Sequence, residues 1–430
     1  MRFNITTLGC KVNAYESEFY ASKLEEAGFE RVDNESSCDV FIVNTCTVTN
    51  TAAQKSRQKI HAAKRLNPDA LCVVVGCYAQ TAKKEDRDAL GADLIIGAKY
   101  KDRLVDEIQK VLKNKQKEDC VEDTTNLTDF EAMPIHCFES KHRAFLKIED
   151  GCNQFCSYCA IPYARGRERS LEKNKVLSIA KELALKGHSE IVLTGIHTGR
   201  YKDGSTTLAD LLDALLNETP ESVYYRISSI EITEVDSNLI NLMKKNPRIC
   251  HHLHIPIQSA CNATLERMNR PYTIEQFKNR IAEIRKEIPD ISISTDVITG
   301  FVQESDEEFA ETKRNLEEIH FSFMHVFPYS KRDITKAAKM KGHLPGNVGK
   351  QRAKELIALS NEFRNADMQR FETLEVLIET HENNQYTGYS NQYHPVHIHT
   401  DQELSGRIKM KWNTIENGVY IVEKEGILCD

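Results

Sequence analysis

No apolar stretch in this chain reaches the roughly 18 residues that a membrane-spanning helix needs. The N-terminal segment Met1-Arg-Phe-Asn-Ile-Thr-Thr7 has no apolar core of the signal-peptide kind. These two absences lead to the expectation of a cytoplasmic protein with no membrane partner. Low-complexity tracts and fixed-period repeats are also missing, which argues against a solenoid. There is no excess of positive charge either: 57 Lys and Arg face 64 Asp and Glu, a formal net charge of −7. Total charge therefore does not advertise a nucleic-acid partner, and any grip on phosphates must come from a local basic patch. Cysteine, by contrast, is plentiful, with 13 among 430 residues. In a reducing compartment such a number argues for metal binding or catalysis over disulfides, and an odd total fits poorly with complete pairing.

Three of these cysteines form one local pattern, Cys152-Asn-Gln-Phe-Cys156-Ser-Tyr-Cys159, directly after the apolar run Ala144-Phe-Leu-Lys-Ile148. A disulfide does not need three thiols, and a structural zinc site wants four closed ligands. Three thiolates around a four-iron cluster leave one iron without a protein ligand, free to bind a substrate or cofactor.

The length predicts about three domains at roughly 150 residues each. Residues 1–112 alternate short apolar runs (Phe3–Leu8, Val40–Asn44, Leu71–Val75, Asp93–Ile96) with helical stretches such as Tyr15–Gly28 and Thr51–Leu66. That alternation predicts an open parallel α/β sheet. Residues 113–142 turn polar and aperiodic and read as a linker. Residues 143–365 hold a second series, with strands expected at Phe145–Ile148, Ile191–Leu193, Tyr224–Ile227, His252–Ile255, Ile291–Asp296 and Phe321–Phe327. Six such repeats suggest a partial (β/α)6 barrel, whose chemistry would sit at the C-terminal strand ends. Residues 366–430 carry strand signals with no helix between them, at Glu375–Glu379, Val396–His399, Arg407–Trp412 and Tyr420–Val422. This pattern predicts a small β-barrel. The fold class is thus α/β with a β appendix.

Each of the first three strands ends at a cysteine: Leu8-Gly9-Cys10, Asn44-Thr45-Cys46 and Gly76-Cys77. In an open parallel sheet those ends share one edge, where ligands bind. Three thiols from distant segments would thus meet at one point. Cys38, Cys72, Cys120, Cys137, Cys250, Cys261 and Cys429 show no such placement and read as ordinary structural thiols.

Together these residues resemble the radical S-adenosylmethionine methylthiotransferases. The strings Thr7-Leu-Gly-Cys10-Lys-Val-Asn13, Asn44-Thr-Cys46-Thr and Gly76-Cys77 look like that family's N-terminal domain. Cys152, Cys156 and Cys159, with Ile161-Pro-Tyr-Ala-Arg-Gly-Arg167, look like its radical core, and the C-terminal segment looks like its small RNA-binding TRAM domain. The resemblance implies two [4Fe-4S] clusters and S-adenosylmethionine. Cys152, Cys156 and Cys159 would hold the cluster that chelates S-adenosylmethionine, and Cys10, Cys46 and Cys77 an auxiliary cluster. The implied reaction installs CH3S at adenine C2. Leu8-Gly-Cys10-Lys-Val-Asn13 most resembles the branch acting on N6-threonylcarbamoyladenosine beside the tRNA anticodon. Branches acting on isopentenyladenosine or on a ribosomal-protein aspartate are the nearest alternatives. A non-catalytic iron–sulfur scaffold and a zinc-binding RNA module are more distant ones.

The resemblance extends to other strand ends. Thr194, Gly195, Gln258, Ser259, Asp296, Gly300 and Phe327, with Tyr158 inside the triad, are the expected contacts of S-adenosylmethionine. Arg165, Arg167 and Arg169, just past the triad, are expected to meet the substrate RNA. The implied partners are the tRNA anticodon stem-loop, an electron donor of flavodoxin or ferredoxin type, and a sulfur source. Two basic runs offer phosphate contacts: Lys55, Arg57, Lys59, Lys64 and Arg65, and residues 331–370, where ten Lys/Arg face four Asp/Glu. Tyr386, Tyr389 and Tyr393 offer stacking surfaces for unpaired bases, or core packing. Gly300-Phe-Val-Gln-Glu304 and Tyr329-Ser-Lys-Arg-Asp333-Ile-Thr-Lys336 depart from the family's usual Gly and Pro content, which leaves the geometry of those two loops open.

Overall fold

In the computed structural model the described residues are 1–428, apart from 34–36, 126 and 136–141. The N-terminal strands are β1 (Arg2–Thr7), β2 (Glu30–Arg31), β3 (Val40–Thr45), β4 (Leu71–Gly76), β5 (Leu94–Ile96) and β6 (Glu118–Cys120). All pair in parallel, in the order β2-β1-β3-β4-β5-β6. All six residues of β3 are buried because helices cover both faces of the sheet. Alternate side chains serve opposite faces. Val40 and Ile42 pack with Phe19, Tyr20 and Leu24 of helix Lys11–Glu26, whereas Phe41 and Val43 pack with Ile60 and Ala63 of helix Asn50–Leu66.

Part of the segment expected to be a linker is structured. Residues 118–120 form the edge strand β6, and Leu127, Met133 and Ile135 are buried. The Tyr15 hydroxyl donates to the Met133 carbonyl at 2.5 Å, which straps this segment across the first helix. The strand escaped the sequence reading because an acidic edge strand shows no apolar alternation.

The central strands are β7 (Arg143–Lys147), the short antiparallel pair β8 (Glu149–Asp150) and β9 (Arg169–Ser170), then β10 (Glu190–Thr194), β11 (Tyr224–Ile227), β12 (His252–His254), β13 (Ser292–Thr299) and β14 (Phe323–Pro328). β7, β10 and β11 make one parallel sheet and β12, β13 and β14 another. Parallel bridges Tyr225–Ile249 and Ser229–His254 join the two across a seam. Six strands in sequential order thus form an arc with helices outside, as the repeats predicted. Among the described residues β14 does not return to pair with β7.

Helix Gly346–Met368 packs on β13 and β14 and leads into β15 (Thr373–Glu382), β16 (Gln385–Ser390), β17 (Pro395–His399), β18 (Arg407–Lys411), β19 (Thr414–Glu416) and β20 (Val419–Glu423). These form one sheet in the order β18-β15-β16-β17-β20-β19, antiparallel except for β17–β20. Its inner face buries Leu374, Val376, Ile378, Val396, Ile398, Tyr420 and Val422. Among the remaining thiols, Cys38, Cys72, Cys250 and Cys261 are buried and Cys120 is half-buried, while Cys137 and Cys429 lie outside the described residues. No helix among the described residues is long and apolar enough to cross a membrane.

Candidate functional site

Cys10, Cys46 and Cys77 lie at the C-terminal ends of β1, β3 and β4, as the strand-end pattern predicted. Their approach depends on glycine. Gly9 has φ +112°, and a Cβ there would stand 2.9 Å from Cys46 Cβ and 3.1 Å from its Sγ. Gly76 has φ +94°, and its Cβ would meet the Thr45 carbonyl oxygen at 2.5 Å. Asn13 ties the loops together by donating to the carbonyls of Leu8 and Thr45 at 2.8 and 3.0 Å. Burial pushes the Cys77 thiol up to about 11; Arg165 opposes this, while Cys10, Glu16 and Cys46 reinforce it. Burial likewise raises Cys46, with Cys10 adding to the effect. Burial of Cys46 and Cys77 thus disfavours their ionised forms unless positive charge is supplied nearby.

Arg165 is the link to the barrel. Its Nε donates to Cys77 Sγ at 3.3 Å, Nη2 to Asn13 Oδ1 at 2.8 Å, and Nη1 to Glu16 Oε1 at 2.9 Å and Asp150 Oδ1 at 3.3 Å. Lys101, Lys147 and Arg169 complete the network around Glu16 and Asp150. Four buried cations thus meet two carboxylates beside Cys77. Buried excess charge is costly unless an anion balances it, and ionised thiolates would supply that anion. Burial would raise Glu16, but Arg165, Lys101 and Lys147 hold it well below the usual carboxylate range.

This corrects the expectation that Arg165 and Arg169 meet RNA. Arg165 and Arg169 are buried and pair with carboxylates from elsewhere in the chain, while Arg167 is exposed, with its guanidinium 4.6 Å from the Phe155 ring centroid. None of the three lines the cavity described below.

The second thiol set lies on the loop that follows β7 and β8. The amides of Gln154 and Ile161 donate to Cys152 Sγ and Cys159 Sγ, each at 3.4 Å. The Arg270 guanidinium donates to Cys156 Sγ at 3.3 Å. Burial and the neighbouring Cys156 push Cys159 well above the usual thiol range. His197 Nδ1 lies 3.5 Å from Cys152 Sγ, and ligand atoms of Cys152, Glu168 and His197 fall within 4.8 Å of one another. Burial works against protonating His197, but Cys152, Glu168 and Glu234 together hold it up to about 12. Amide, guanidinium and imidazolium donors aimed at sulfur suit thiolates.

Cys10 and the three thiols of the second set share one cavity of about 1000 Å³, while Cys46 and Cys77 are buried behind Cys10. Cys10 lines it from the N-terminal sheet and Cys152, Cys156 and Cys159 from the barrel. Of the other residues expected at the cofactor, Tyr158, Thr194, Gly195, Gln258, Asp296 and Phe327 line its wall. Ser259 and Gly300 do not. Ser259 is fully buried against Thr312, and the amide of Gly300 is turned onto Glu304 Oε2 at 2.7 Å. Of the three tyrosines, Tyr389 and Tyr393 stack at 4.8 Å and line the cavity, whereas Tyr386 belongs to the core of the C-terminal sheet. Sequence reasoning passed over Lys11, His197, Glu231, His254 and Arg270, which also line the cavity. Their positions depend on long-range folding, and only Lys11, next to Cys10, carries a local signal. Burial, with Arg226 and Arg143 nearby, pulls Lys11 down to about 8.

Residues 2–97 match an uncharacterized protein family, UPF0004, and residues 146–316 match the radical SAM superfamily. The threonylcarbamoyladenosine tRNA methylthiotransferase MtaB of Bacillus subtilis (strain 168) is 40% identical over 411 residues, covering 94% of this chain and 91% of that one. The MtaB of Aquifex aeolicus (strain VF5) is 38% identical over 85% of this chain and 89% of its own. A tRNA-2-methylthio-N(6)-dimethylallyladenosine synthase of Thermoanaerobacter sp. (strain X514) is 33% identical over 94% of this chain and 88% of its own. Among solved structures, the radical S-adenosylmethionine methyltransferase TsrM from Kitasatospora setae aligns with a TM-score of 0.57 at 14% identity, covering 78% of this chain and 77% of that one, a likeness of fold alone.

Proposed function

The chain belongs to the radical S-adenosylmethionine methylthiotransferases, and from that premise we propose that it installs CH3S at C2 of N6-threonylcarbamoyladenosine beside the tRNA anticodon. The observation that carries this reading is the cavity lined by Cys10 from one thiol set and by Cys152, Cys156 and Cys159 from the other. The donor chemistry fits iron–sulfur clusters. Each set has three thiols, all six of them free, with cationic or amide donors aimed at sulfur.

We assign Cys152, Cys156 and Cys159 to the [4Fe-4S] cluster that chelates S-adenosylmethionine, and Cys10, Cys46 and Cys77 to an auxiliary one. When bound, these groups supply one-electron cleavage of S-adenosylmethionine to a radical that can attack an unactivated C–H bond, and a sulfur to take its place. The protein's own residues hold and shield. Arg270 and His197 place positive charge beside Cys156 and Cys152. Tyr158, Gly195, Gln258, Asp296 and Phe327 shape the wall for S-adenosylmethionine. Tyr389 and Tyr393 offer a stacked aromatic face for the target base. The C-terminal sheet is taken as a TRAM-like RNA-binding barrel. A tRNA substrate and reduced thiols suit a cytoplasmic enzyme served by a flavodoxin- or ferredoxin-type donor and a separate sulfur source.

The test is reconstitution of the enzyme with iron and sulfide, followed by reaction with tRNA carrying N6-threonylcarbamoyladenosine. Mass analysis of the nucleosides should show its 2-methylthio derivative. Joint replacement of Cys10, Cys46 and Cys77 by Ala should halve the bound iron, abolish methylthiolation and leave 5′-deoxyadenosine formation in place. Unmodified nucleoside with the wild-type enzyme would refute the substrate, and unchanged iron in the variant would refute the auxiliary cluster.

A further inference from the structure

We propose that Lys11 is the specificity residue of the cavity, receiving the carboxylate of the substrate's threonylcarbamoyl group; the assignment rests on the substrate reading above. Lys11 follows Cys10 directly and lines the same cavity. Its ammonium lies 5.2 Å from the Tyr393 ring centroid and forms no hydrogen bond or ion pair among the described residues.

The neighbouring charges are already matched. Arg143 on β7 and Arg226 on β11 are engaged by Glu190 on β10, and Arg143 also by Glu379 on β15. Asp296 on β13 pairs with His254 on β12 at 3.2 Å. Arg364, from helix Gly346–Met368, lies 3.6 Å over the Phe323 ring and is the other cation of that wall without an ion pair among the described residues. Lys11 therefore adds positive charge to a side of the cavity that has no carboxylate to spare. A cation held out of water without a counterion is costly, and an anion carried by a ligand removes that cost.

The chemistry of the base selects which anion. C2 and C6 of adenine flank the same ring nitrogen, so the N6 substituent and the reacting carbon share one edge of the base. Lys11, one residue from the thiol of Cys10, is set at that edge. Arg364 shares that wall but belongs to helix Gly346–Met368, far in sequence from the loop that carries Cys10. An uncharged N6-alkenyl substituent would leave Lys11 unmatched, so the same side chain that accepts the acid disfavours the hydrocarbon. The carboxylate of S-adenosylmethionine and the RNA phosphates are other anions a cation here could meet, but they do not change between substrates that differ only in the threonyl group.

The test uses the reconstituted full-length enzyme and two anticodon stem-loop RNAs, one bearing N6-threonylcarbamoyladenosine and one its methyl ester. The wild type should prefer the acid by roughly tenfold or more in kcat/KM, as a charge-assisted contact implies. Lys11→Gln should erase that preference through a raised KM for the acid, with the KM for S-adenosylmethionine unchanged, and Lys11→Arg should restore it. A preserved preference in Lys11→Gln, equal losses on both RNAs, or a preference lost only in Arg364→Met would each overturn the assignment. Should Lys11→Gln shed iron, Lys11→Arg decides: retained preference supports the assignment and lost preference overturns it. A wild type that modifies only isopentenyladenosine RNA would overturn the substrate reading and Lys11 with it, a result distinct from the others because no acid turnover is seen at all.

Discussion

Arg165 touches a thiol, an amide and two carboxylates with one guanidinium, and these partners lie as far as 152 residues away in sequence. Its planar fork suits that task in a way lysine's point charge does not. Replacing Arg165 with Met should destabilise the protein by about 3–5 kcal/mol, because Glu16 and Asp150 would keep their burial and lose a partner. Urea unfolding measures that loss, and iron analysis should show the auxiliary set depleted before the barrel set. Arg165→Lys should recover only part of either. The example also shows where reading from sequence stops. An arginine six residues past the last cysteine of the barrel triad reads as facing substrate, because nothing local announces two buried carboxylates waiting for it. The cysteines were legible for the opposite reason. Their meaning lay in local spacing, or in the repeated ending of an apolar strand, and both survive without knowledge of the fold.

At the scale of elements, the parallel strands were legible because continuous burial leaves continuous apolar runs, as in Val40-Phe-Ile-Val43 of β3. β6 was not, since its acids at Glu118 and Asp119 sit on an edge. The 300–304 loop shows a different limit. Gln303 adopts φ +63°, a conformation usually left to glycine, and is held there by its amide to the Gly342 carbonyl at 2.9 Å and its side chain to the Lys341 carbonyl at 2.8 Å. Tertiary bonds here replace the local turn residues. The joint between barrel and C-terminal sheet is likewise tertiary. Glu190 on β10 binds Arg143, Arg226 and, across the joint, Arg407 on β18 at 2.7 Å. Burial would raise Glu190, but Arg226 and Arg143 hold it far below the usual carboxylate range. A carboxylate depressed in the folded state contributes stability above its unfolded pKa of about 4.3 and loses it as pH falls toward the folded value. The C-terminal sheet should therefore stay protease-resistant at neutral pH and become increasingly cleavable below about pH 4. Glu190→Gln should bring that cleavability to neutral pH, which limited proteolysis with mass detection reads directly.

At the scale of the whole molecule the negative net charge has to be reconciled with an RNA substrate. The two basic runs supply the answer by lying together. Asn50, at the start of helix Asn50–Leu66, donates its side-chain amide to the Lys331 carbonyl at 2.8 Å, and its backbone amide to Ser330 Oγ at 2.9 Å. Val48, Thr49, Tyr329 and Ser330 line the cavity, so the basic rim stands at its mouth. Lys55 on the helix and Lys331, Lys336 and Lys339 beyond the loop are all exposed. A local positive rim on an acidic protein steers phosphates toward one opening while the rest of the surface repels them. Replacing these four lysines with Ala should weaken tRNA binding and lower the slope of log K against log salt by about 3, since each phosphate contact contributes roughly 0.7–0.9. Turnover of a short stem-loop at saturating concentration should be little affected, because the cavity itself is unchanged. A salt slope equal to that of the wild type would place the RNA on another face, and the basic rim would then be no more than a solvated edge.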